Sequence, residues 1–141
     1  MPFTQPKPLP QPPGEVEGAI ILVVDDERVW RTILETDLRL LRYRVVSAAD
    51  AEEALKVAEA SKPELGIIDL MLPEPVDGHA LLERMRERGL EFPVIFYTAY
   101  PVGGSEQDDE EGIVRYLSKS VDRADLYALI PPAVIASRSH G

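Results

Sequence analysis

Short apolar runs alternate along the chain with segments whose apolar residues recur at helical spacing, from about residue 18 to residue 130. The first run, AIILVV at 19–24, is followed by acidic residues, which suits a short strand buried on both faces. From Glu27 to Leu41, apolar residues recur every three or four positions, and this spacing predicts an amphipathic helix. The same pattern predicts further strands at RVVSA, ELGIID, FPVIFYTA and GIVRYLSK.

Three further helices are predicted between and after these strands. AEEALKVAEA forms one, with Asp50 as its N-cap, and another runs from Gly78 to Arg88 and stops at Gly89. The last runs from Asp122 to Ile130 and is interrupted or ended by two consecutive prolines. Strands that alternate with helices imply right-handed crossovers, so the predicted fold class is α/β, a doubly wound five-stranded parallel sheet.

The N-terminal residues differ in composition from the rest of the chain. Residues 2–13 contain six prolines and almost nothing that could join a core. We therefore predict a disordered tail or linker over residues 1–17 and one folded domain over residues 18–137. The tail is interpreted as a solvated leader; a Pro-rich docking segment is the alternative.

Composition excludes several classes of function. The chain of 141 residues has no cysteine, which rules out disulfides and thiolate chemistry, and its net charge of −10 disfavours binding to nucleic acids or anionic membranes. No apolar stretch approaches the ~20 residues that a transmembrane helix needs. The N-terminus lacks the apolar core of a secretory signal, so we expect a cytoplasmic protein.

Polar side chains stand where four of the predicted strands end. Asp25 and Asp26 follow the first strand, Asp69 ends the third, Thr98 lies at the end of the fourth, and Lys119 at the end of the fifth. In an open parallel sheet, ligands bind beyond the carboxyl ends of the strands, so these groups are expected to converge. Clustered carboxylates repel one another unless a cation neutralises them, and all-oxygen ligands favour Mg²⁺. With an ammonium and a hydroxyl opposite, the set describes a phosphoryl-binding site in which Asp69 is the candidate nucleophile.

The chain resembles the receiver domain of two-component response regulators over roughly residues 18–130. The resemblance is carried by ILVVDDE (21–27), IIDLMLPEPVDG (67–78), VIFYTAY (94–100) and YLSKS (116–120). It implies a flavodoxin-like (βα)5 fold. VIFYTAY also loosely resembles the fourth-strand motif of an atypical receiver subgroup whose fourth helix is missing or mobile.

The resemblance also assigns the metal side of the site. Asp69 corresponds to the phosphoacceptor. Asp26 corresponds to the direct Mg²⁺ ligand, and Asp25 beside it acts partly through water. The backbone carbonyl of Met71 completes the implied protein ligands of Mg²⁺, together with Asp69 itself.

The phosphoryl side of the site follows from the same resemblance. Thr98 and the backbone amide of Ala99 would bind phosphoryl oxygens, with Lys119 pairing with the same oxygens. Thr98 and Tyr116 match the two residues that change position between the inactive and active states of receivers. Packing alone is the alternative interpretation of Tyr116, because a switch needs space for the ring to rotate.

Two features depart from the family. Ser120 follows Lys119, where receivers usually have a proline in a cis peptide, and a non-proline cis bond costs ~2.5–4 kcal/mol. That cost favours a trans bond and a slightly different position of Lys119, and the sequence leaves both cis and trans open. The segment GGSEQDDEEG (103–112), at the place of the fourth helix, has three glycines, five acids and no apolar side chain. We predict a short or disordered fourth helix and an altered signalling surface.

The expected function is that of a phosphorylatable receiver. A histidine kinase or phosphotransfer protein would phosphorylate Asp69, and the domain would signal to a protein partner without acting on a separate metabolite. A pseudo-receiver that signals without phosphate is the alternative, and a homodimer is left open. A haloacid-dehalogenase-like phosphatase is disfavoured because its DxD pattern is absent. His79 and His140 have no partners at ligand spacing and are predicted to be exposed. Trp30, one turn after Asp26, is expected to pack on the helix; the alternative is that it lies close enough to the metal to sense it.

Overall fold

The computed structural model describes residues 8–99 and 112–140, which form a central parallel sheet covered by helices. The strands are β1 (Ile20–Val24), β2 (Arg44–Ala48), β3 (Leu65–Ile68), β4 (Val94–Thr98) and β5 (Ile113–Ser118). The helices are α1 (Arg28–Leu40), α2 (Ala51–Ser61), α3 (Gly78–Glu87), α4 (Arg123–Ala128) and α5 (Ile130–His140). The strand order β2–β1–β3–β4–β5 is that of a flavodoxin-like fold, which confirms the predicted fold class.

Alternation along the strands divides the core between the two faces of the sheet. Ile21 and Val23 of β1 pack in a cluster with α1, α4 and α5, whereas Leu22 and Val24 pack in a second cluster with α2 and α3. All four side chains are buried, because β1 lies between β2 and β3 and is covered on both sides. Burial of β1, β3 and β4 on both faces explains their continuous apolar sequence.

Local signals fix the helix boundaries near the predicted positions. The side chain of Asp50 accepts a hydrogen bond from the backbone N–H of Glu53 at 2.8 Å, which confirms it as the N-cap of α2. Asp77 caps α3 in the same way. Gly89 follows α3 with φ of 78°, a conformation that favours glycine and ends the helix.

The two consecutive prolines near the C-terminus begin a helix, whereas we expected them to interrupt or end one. The helix predicted over 122–130 is interrupted after Ala128, and α5 starts at Ile130, with Pro131 and Pro132 in its first turn. Residues in the first turn have no carbonyl partner for their N–H groups, so proline is tolerated there. The folded chain consequently continues to His140, beyond the predicted domain end at residue 137.

The N-terminal boundary also differs from the prediction. Residues Gly14–Val16 form a short 3-10 turn, and Val16 is fully buried in the cluster that contains α1 and α5. Arg138 of α5 donates a hydrogen bond to the backbone carbonyl of Glu15 at 2.8 Å. The segment 14–17, assigned above to the tail, is therefore part of the folded unit.

Two predictions fall outside the described residues. The first is the predicted disordered tail, as far as it concerns residues 1–7. The second is the prediction of a short or disordered fourth helix over 103–112, of which the structure describes only Gly112. Within the described ranges, no helix is both long and apolar enough to cross a bilayer.

Substitution of Tyr43 by phenylalanine is expected to reduce the stability that the domain loses at alkaline pH. The Tyr43 ring is buried, and its hydroxyl has no hydrogen-bond partner among the described residues. Burial raises the pKa of Tyr43 to about 12 from 10.0. Folding favours the neutral phenol because the pKa is higher in the folded state. The contribution of Tyr43 to the free energy of unfolding is therefore complete below pH 10. It decreases by up to about 3 kcal/mol as the pH rises toward 12.

Urea unfolding of both proteins at pH 8 and at pH 11.5 measures this contribution. The Tyr43→Phe protein should lose less stability between the two pH values, since the other tyrosines are common to both proteins. At pH 8 it should be equally stable or more stable by about 1 kcal/mol, because a buried unpaired hydroxyl is removed. Identical pH dependence of the two proteins would contradict this interpretation of Tyr43.

Candidate functional site

The acid pair lies directly beyond the carboxyl end of β1. Asp25 is buried, whereas Asp26 is exposed. Asp25 is held on three sides: its N–H donates to the carbonyl of Ala48 at 3.1 Å, its Oδ1 accepts from the N–H of Glu27 at 2.9 Å, and its carbonyl accepts from Arg31 at 2.7 Å. The bond from Arg31 was not predicted from the sequence. One oxygen of Asp25, Oδ2, is left to face the crevice.

Asp69 stands beyond the carboxyl end of β3, next to β1. Its N–H donates to the carbonyl of Val24 at 2.9 Å, which continues the β1–β3 pairing up to the site. Its side chain is buried, and its Oδ1 accepts from the N–H of Met71 at 3.0 Å. Asp69 therefore also presents a single oxygen, Oδ2, toward Asp25.

Lys119 joins the two carboxylates. Its Nζ lies 2.6 Å from Asp25 Oδ2 and 2.9 Å from Asp69 Oδ2, and only 5% of its side chain is exposed. The backbone directs it there, because the N–H of Lys119 donates to the carbonyl of Thr98 at 2.7 Å where β4 and β5 end. The Nζ atom also lies 5.0 Å from the centre of the Trp30 ring, which places Trp30 beside the site.

Burial and the hydrogen bonds between charged groups shift the pKa values of Asp25 and Lys119 in opposite directions. Burial raises the pKa of the Asp25 carboxyl, and the hydrogen bond from Lys119 only partly offsets that rise. For Lys119, burial favours the neutral amine, but hydrogen bonds to Asp25 and Asp69 outweigh it, and the pKa is raised. Lys119 is accordingly held as an ammonium ion at neutral pH.

The cluster fits a hard divalent cation. One carboxylate oxygen from each of Asp25, Asp26 and Asp69 lies within 4.8 Å of the others. Three carboxylates with one ammonium leave two negative charges, which a divalent ion would balance, and oxygen ligands suit Mg²⁺. The structure brings together three of the four predicted metal ligands. The role of the Met71 carbonyl stays a prediction, since the contact observed for Met71 is through its N–H.

The predicted phosphoryl-binding residues lie at the end of β4. Thr98 is fully buried, and its Oγ1 has no hydrogen-bond partner among the described residues. An unpaired buried hydroxyl costs stability, so its presence at this edge fits a group that bonds to a ligand oxygen. Ala99 follows in an exposed bend. The peptide bond between Lys119 and Ser120, which the sequence left open, is trans, since the one cis bond in the described ranges joins Glu74 and Pro75.

Tyr116 lies on β5 opposite Phe96, two register positions before the pair of Thr98 and Ser118 at the site. Its half-buried ring stacks on Phe96 of β4 at a centroid distance of 5.2 Å. Its hydroxyl is hydrogen-bonded to Nε2 of His79 at 2.9 Å. His79 is exposed, as predicted, but its bond to Tyr116 was not foreseen. The His140 side chain lies outside the described atoms.

Gly78, at the start of α3, permits close packing against the Asp69 loop. A Cβ atom at Gly78 would lie 2.6 Å from the carbonyl oxygen of Asp69 and 2.9 Å from Cα of Leu70. Both are backbone atoms, so the helix or the loop would have to move. The N–H of Gly78 also donates to the carbonyl of Leu70 at 3.0 Å. The sequence predicted only that a helix starts at Gly78, and this contact shows why that position requires glycine.

Replacement of Gly78 by alanine is therefore expected to destabilise the domain by about 1–3 kcal/mol, as overpacking does, although alanine is the better helix former. It should also slow any chemistry at Asp69. Urea unfolding measures the first effect. Gly14→Ala is the matched control, because no atom lies within 4 Å of a Cβ at Gly14. A Gly78→Ala protein as stable as wild type would show that the contact is relieved without cost.

Comparisons with known proteins agree with this geometry. The response regulator receiver domain family matches residues 21–131. The alkaline phosphatase synthesis transcriptional regulatory protein PhoP of Bacillus subtilis is 46% identical over 79 residues, which are 56% of this chain and 32% of PhoP. The probable transcriptional regulator ycf27 of Cyanophora paradoxa is 42% identical over 85 residues, which are 60% of this chain and 35% of that protein. The chain thus spans about a third of these relatives.

Solved structures give the same result over most of the chain. The response regulator TrrA from Thermotoga maritima, in complex with Mg²⁺-BeF, has a TM-score of 0.70 and 27% identity, covering 82% of this chain and 98% of that one. The signal receiver domain of an HD domain-containing protein from Pseudomonas fluorescens Pf-5 has a TM-score of 0.74 and 29% identity, covering 86% and 98%. This chain belongs to the response regulator receiver domain family.

Proposed function

We propose that this receiver accepts a phosphoryl group on Asp69 from a histidine kinase or phosphotransfer protein, in a Mg²⁺-dependent reaction, and signals to a protein partner by a change of conformation. The observation that carries the proposal is the bridge that Lys119 makes between Asp25 and Asp69. Asp26 adds a third carboxylate beside this bridge. A partly buried acid cluster with one buried ammonium ion suits phosphoryl transfer better than a purely structural role.

The chain's own residues account for the transfer. Oδ2 of Asp69 attacks phosphorus, a bond from that oxygen to phosphorus forms, and the bond to the donor's imidazole nitrogen breaks as the imidazole leaves. Lys119, already 2.9 Å from this oxygen, would pair with the phosphoryl oxygens. Asp25, Asp26 and Asp69 would hold Mg²⁺, which when bound offsets the charge of the transferring group.

Thr98 and Tyr116 are the proposed switch. The unpaired Oγ1 of Thr98 can donate to a phosphoryl oxygen, and the N–H of Ala99 would bond to another. Movement of Thr98 toward the phosphoryl group would change the packing beside β5, where Tyr116 lies against Phe96. The domain would then present a different surface to its partner, and it would act on no separate metabolite.

The departure from the family at Ser120 does not keep Lys119 away from the acid cluster. Although the Lys119–Ser120 peptide is trans, Lys119 Nζ reaches both carboxylates within hydrogen-bonding distance. The pseudo-receiver therefore has no observation of its own in the described residues, and it becomes one outcome of the test below.

PhoP and ycf27 are named as transcriptional regulators, but this chain spans about a third of each. The net charge of −10 supports the proposal that the domain itself contacts proteins rather than nucleic acid.

Incubation with a small acyl phosphate, followed by intact-mass measurement, tests the proposal. Wild-type protein should gain one phosphoryl mass with Mg²⁺ and none with a chelator, and Asp69→Asn should gain none. A histidine kinase panel replaces the small donor if the acyl phosphate is inert. Failure of both donors to modify wild type would favour the pseudo-receiver.

A further inference from the structure

His79 and Tyr116 form a contact between α3 and β5 that the transfer chemistry does not use. The imidazole Nε2 and the phenol oxygen are 2.9 Å apart, and either group can donate, depending on the imidazole tautomer. The two rings are 5.8 Å apart at their centroids. Both also contact Phe96, His79 at 5.0 Å and Tyr116 at 5.2 Å, so the three rings form one cluster beside β4.

This cluster is connected to the loop that carries Asp69. His79 directly follows Gly78, whose backbone packs against the Asp69 carbonyl and bonds to that of Leu70. The first turn of α3 is further fixed by the Asp77 cap. The Asp69 loop thereby constrains the position of the imidazole, and the imidazole is one of the groups that hold the Tyr116 side chain.

We propose that His79 is a positioning residue that holds Tyr116 in its present position while Asp69 is unmodified. The inference rests on the proposed function, in which Tyr116 moves when Asp69 carries a phosphoryl group. In this structure Oδ2 of Asp69 is paired with Lys119 Nζ at 2.9 Å, and Oγ1 of Thr98 has no partner among the described residues, so the bond to His79 accompanies the arrangement in which neither oxygen is bonded to a phosphoryl group. Moving the Tyr116 ring away breaks the bond, and His79 thus opposes the switch.

The consequence is a difference in ligand affinity between proteins with and without the bond. A ligand shifts a two-state equilibrium only through interactions that differ between the states, and the His79–Tyr116 bond stabilises the state that binds a phosphoryl group less well. One hydrogen bond of ordinary strength corresponds to about a two- to tenfold change in affinity. Removal of the bond should therefore tighten binding of a phosphoryl analogue.

Two variants of His79 separate the hydrogen bond from the ring contacts. His79→Phe keeps a ring against Phe96 but cannot bond to the Tyr116 hydroxyl. His79→Gln loses the ring but restores a hydrogen-bonding group. His79 is exposed and lies in the first turn of α3, so both variants should fold, and Tyr116→Phe removes the same bond from the other side.

Titration with Mg²⁺ and beryllofluoride, the phosphoryl stand-in, measures the affinity. Trp30 fluorescence reports binding, because its ring lies 5.0 Å from Lys119 Nζ and is remote in the chain from His79. His79→Phe should bind beryllofluoride about two- to tenfold more tightly than wild type, and His79→Gln should return to within twofold. In a Tyr116→Phe background, His79→Phe should have no further effect.

The outcomes distinguish this inference from the function on which it rests. Wild-type protein that binds no beryllofluoride in the presence of Mg²⁺ would contradict the proposed function itself. If wild type binds and His79→Phe binds with the same or weaker affinity, or if the gain persists in the Tyr116→Phe background, then His79 does not hold the switch.

Discussion

Substitution of Lys119 by methionine is expected to slow phosphoryl uptake by Asp69 about 10²–10³-fold, the usual effect of removing one positively placed donor from a transition state. The structure gives the reason, since Lys119 Nζ lies 2.9 Å from the oxygen expected to attack. Methionine preserves much of the volume of the buried stem and removes the charge. The initial rate of mass gain from an acyl phosphate measures the effect.

The same substitution should strengthen Mg²⁺ binding. The ammonium ion occupies the facing oxygens of Asp25 and Asp69 and competes with a cation for their charge. We expect about tenfold tighter binding, which corresponds to about 1.4 kcal/mol. This is well below the roughly 4 kcal/mol by which two unit charges 4 Å apart interact at an effective dielectric constant of 20. Without Mg²⁺ the variant should be less stable than wild type, and Mg²⁺ should restore that loss.

Lys56→Met is the matched control, because Lys56 is an exposed lysine on α2 away from the acid cluster. It should change neither phosphoryl uptake nor Mg²⁺ affinity. Slower uptake together with weaker Mg²⁺ binding in Lys119→Met would contradict the account, since it would indicate that Lys119 supports the metal site and does not compete with it.

Replacement of Asp37 by alanine is expected to destabilise the domain by about 2–3 kcal/mol. Oδ2 of Asp37 accepts hydrogen bonds from Arg123 Nε at 2.8 Å and from the buried hydroxyl of Tyr127 at 2.6 Å. Without Asp37, that hydroxyl loses its acceptor inside the core. Arg123 contributes less, because 41% of its side chain is exposed. Urea unfolding at neutral pH measures the loss.

The contact of Asp37 with Arg123 and Tyr127 matters for the acid cluster because it connects α1 with α4, the two helices that follow the residues of the site. Asp37 lies on α1, which begins just after the acid pair, and its partners lie on α4, which begins just after Lys119. Glu35→Ala on the same helix is the control, since its pair with Arg39 is 3.9 Å long and 60% of the Arg39 side chain is exposed. Equal stability of the two variants would show that the buried contact contributes nothing.

The sequence predicted the elements that periodicity determines. RVVSA matches β2 from Arg44 to Ala48, because a short β-branched run between turns has few alternatives. It also predicted that Asp25, Asp69 and Lys119 would meet, since parallel strands place their carboxyl ends at one edge. The resemblance to receivers then assigned roles that geometry alone does not give.

Features that depend on long-range packing were missed. Val16 lies in a stretch rich in glycine, proline and acids with no periodic pattern, and its burial depends on contact with a distant cluster. His79 and Tyr116 are 37 residues apart, and their bond depends on how α3 packs beside β5. The two prolines near the C-terminus signalled a helix boundary correctly, but their sequence alone does not say on which side the helix lies.

The most direct measurement of the central claim is the position of the phosphoryl group on the chain. Borohydride reduction converts an acyl phosphate into an alcohol, so phosphorylated aspartate is read as homoserine in a peptide map. After treatment with an acyl phosphate, homoserine is expected at residue 69 with Mg²⁺ present and not with a chelator. Homoserine at Asp25 or Asp26, or equal amounts at residue 69 with and without Mg²⁺, would contradict this expectation.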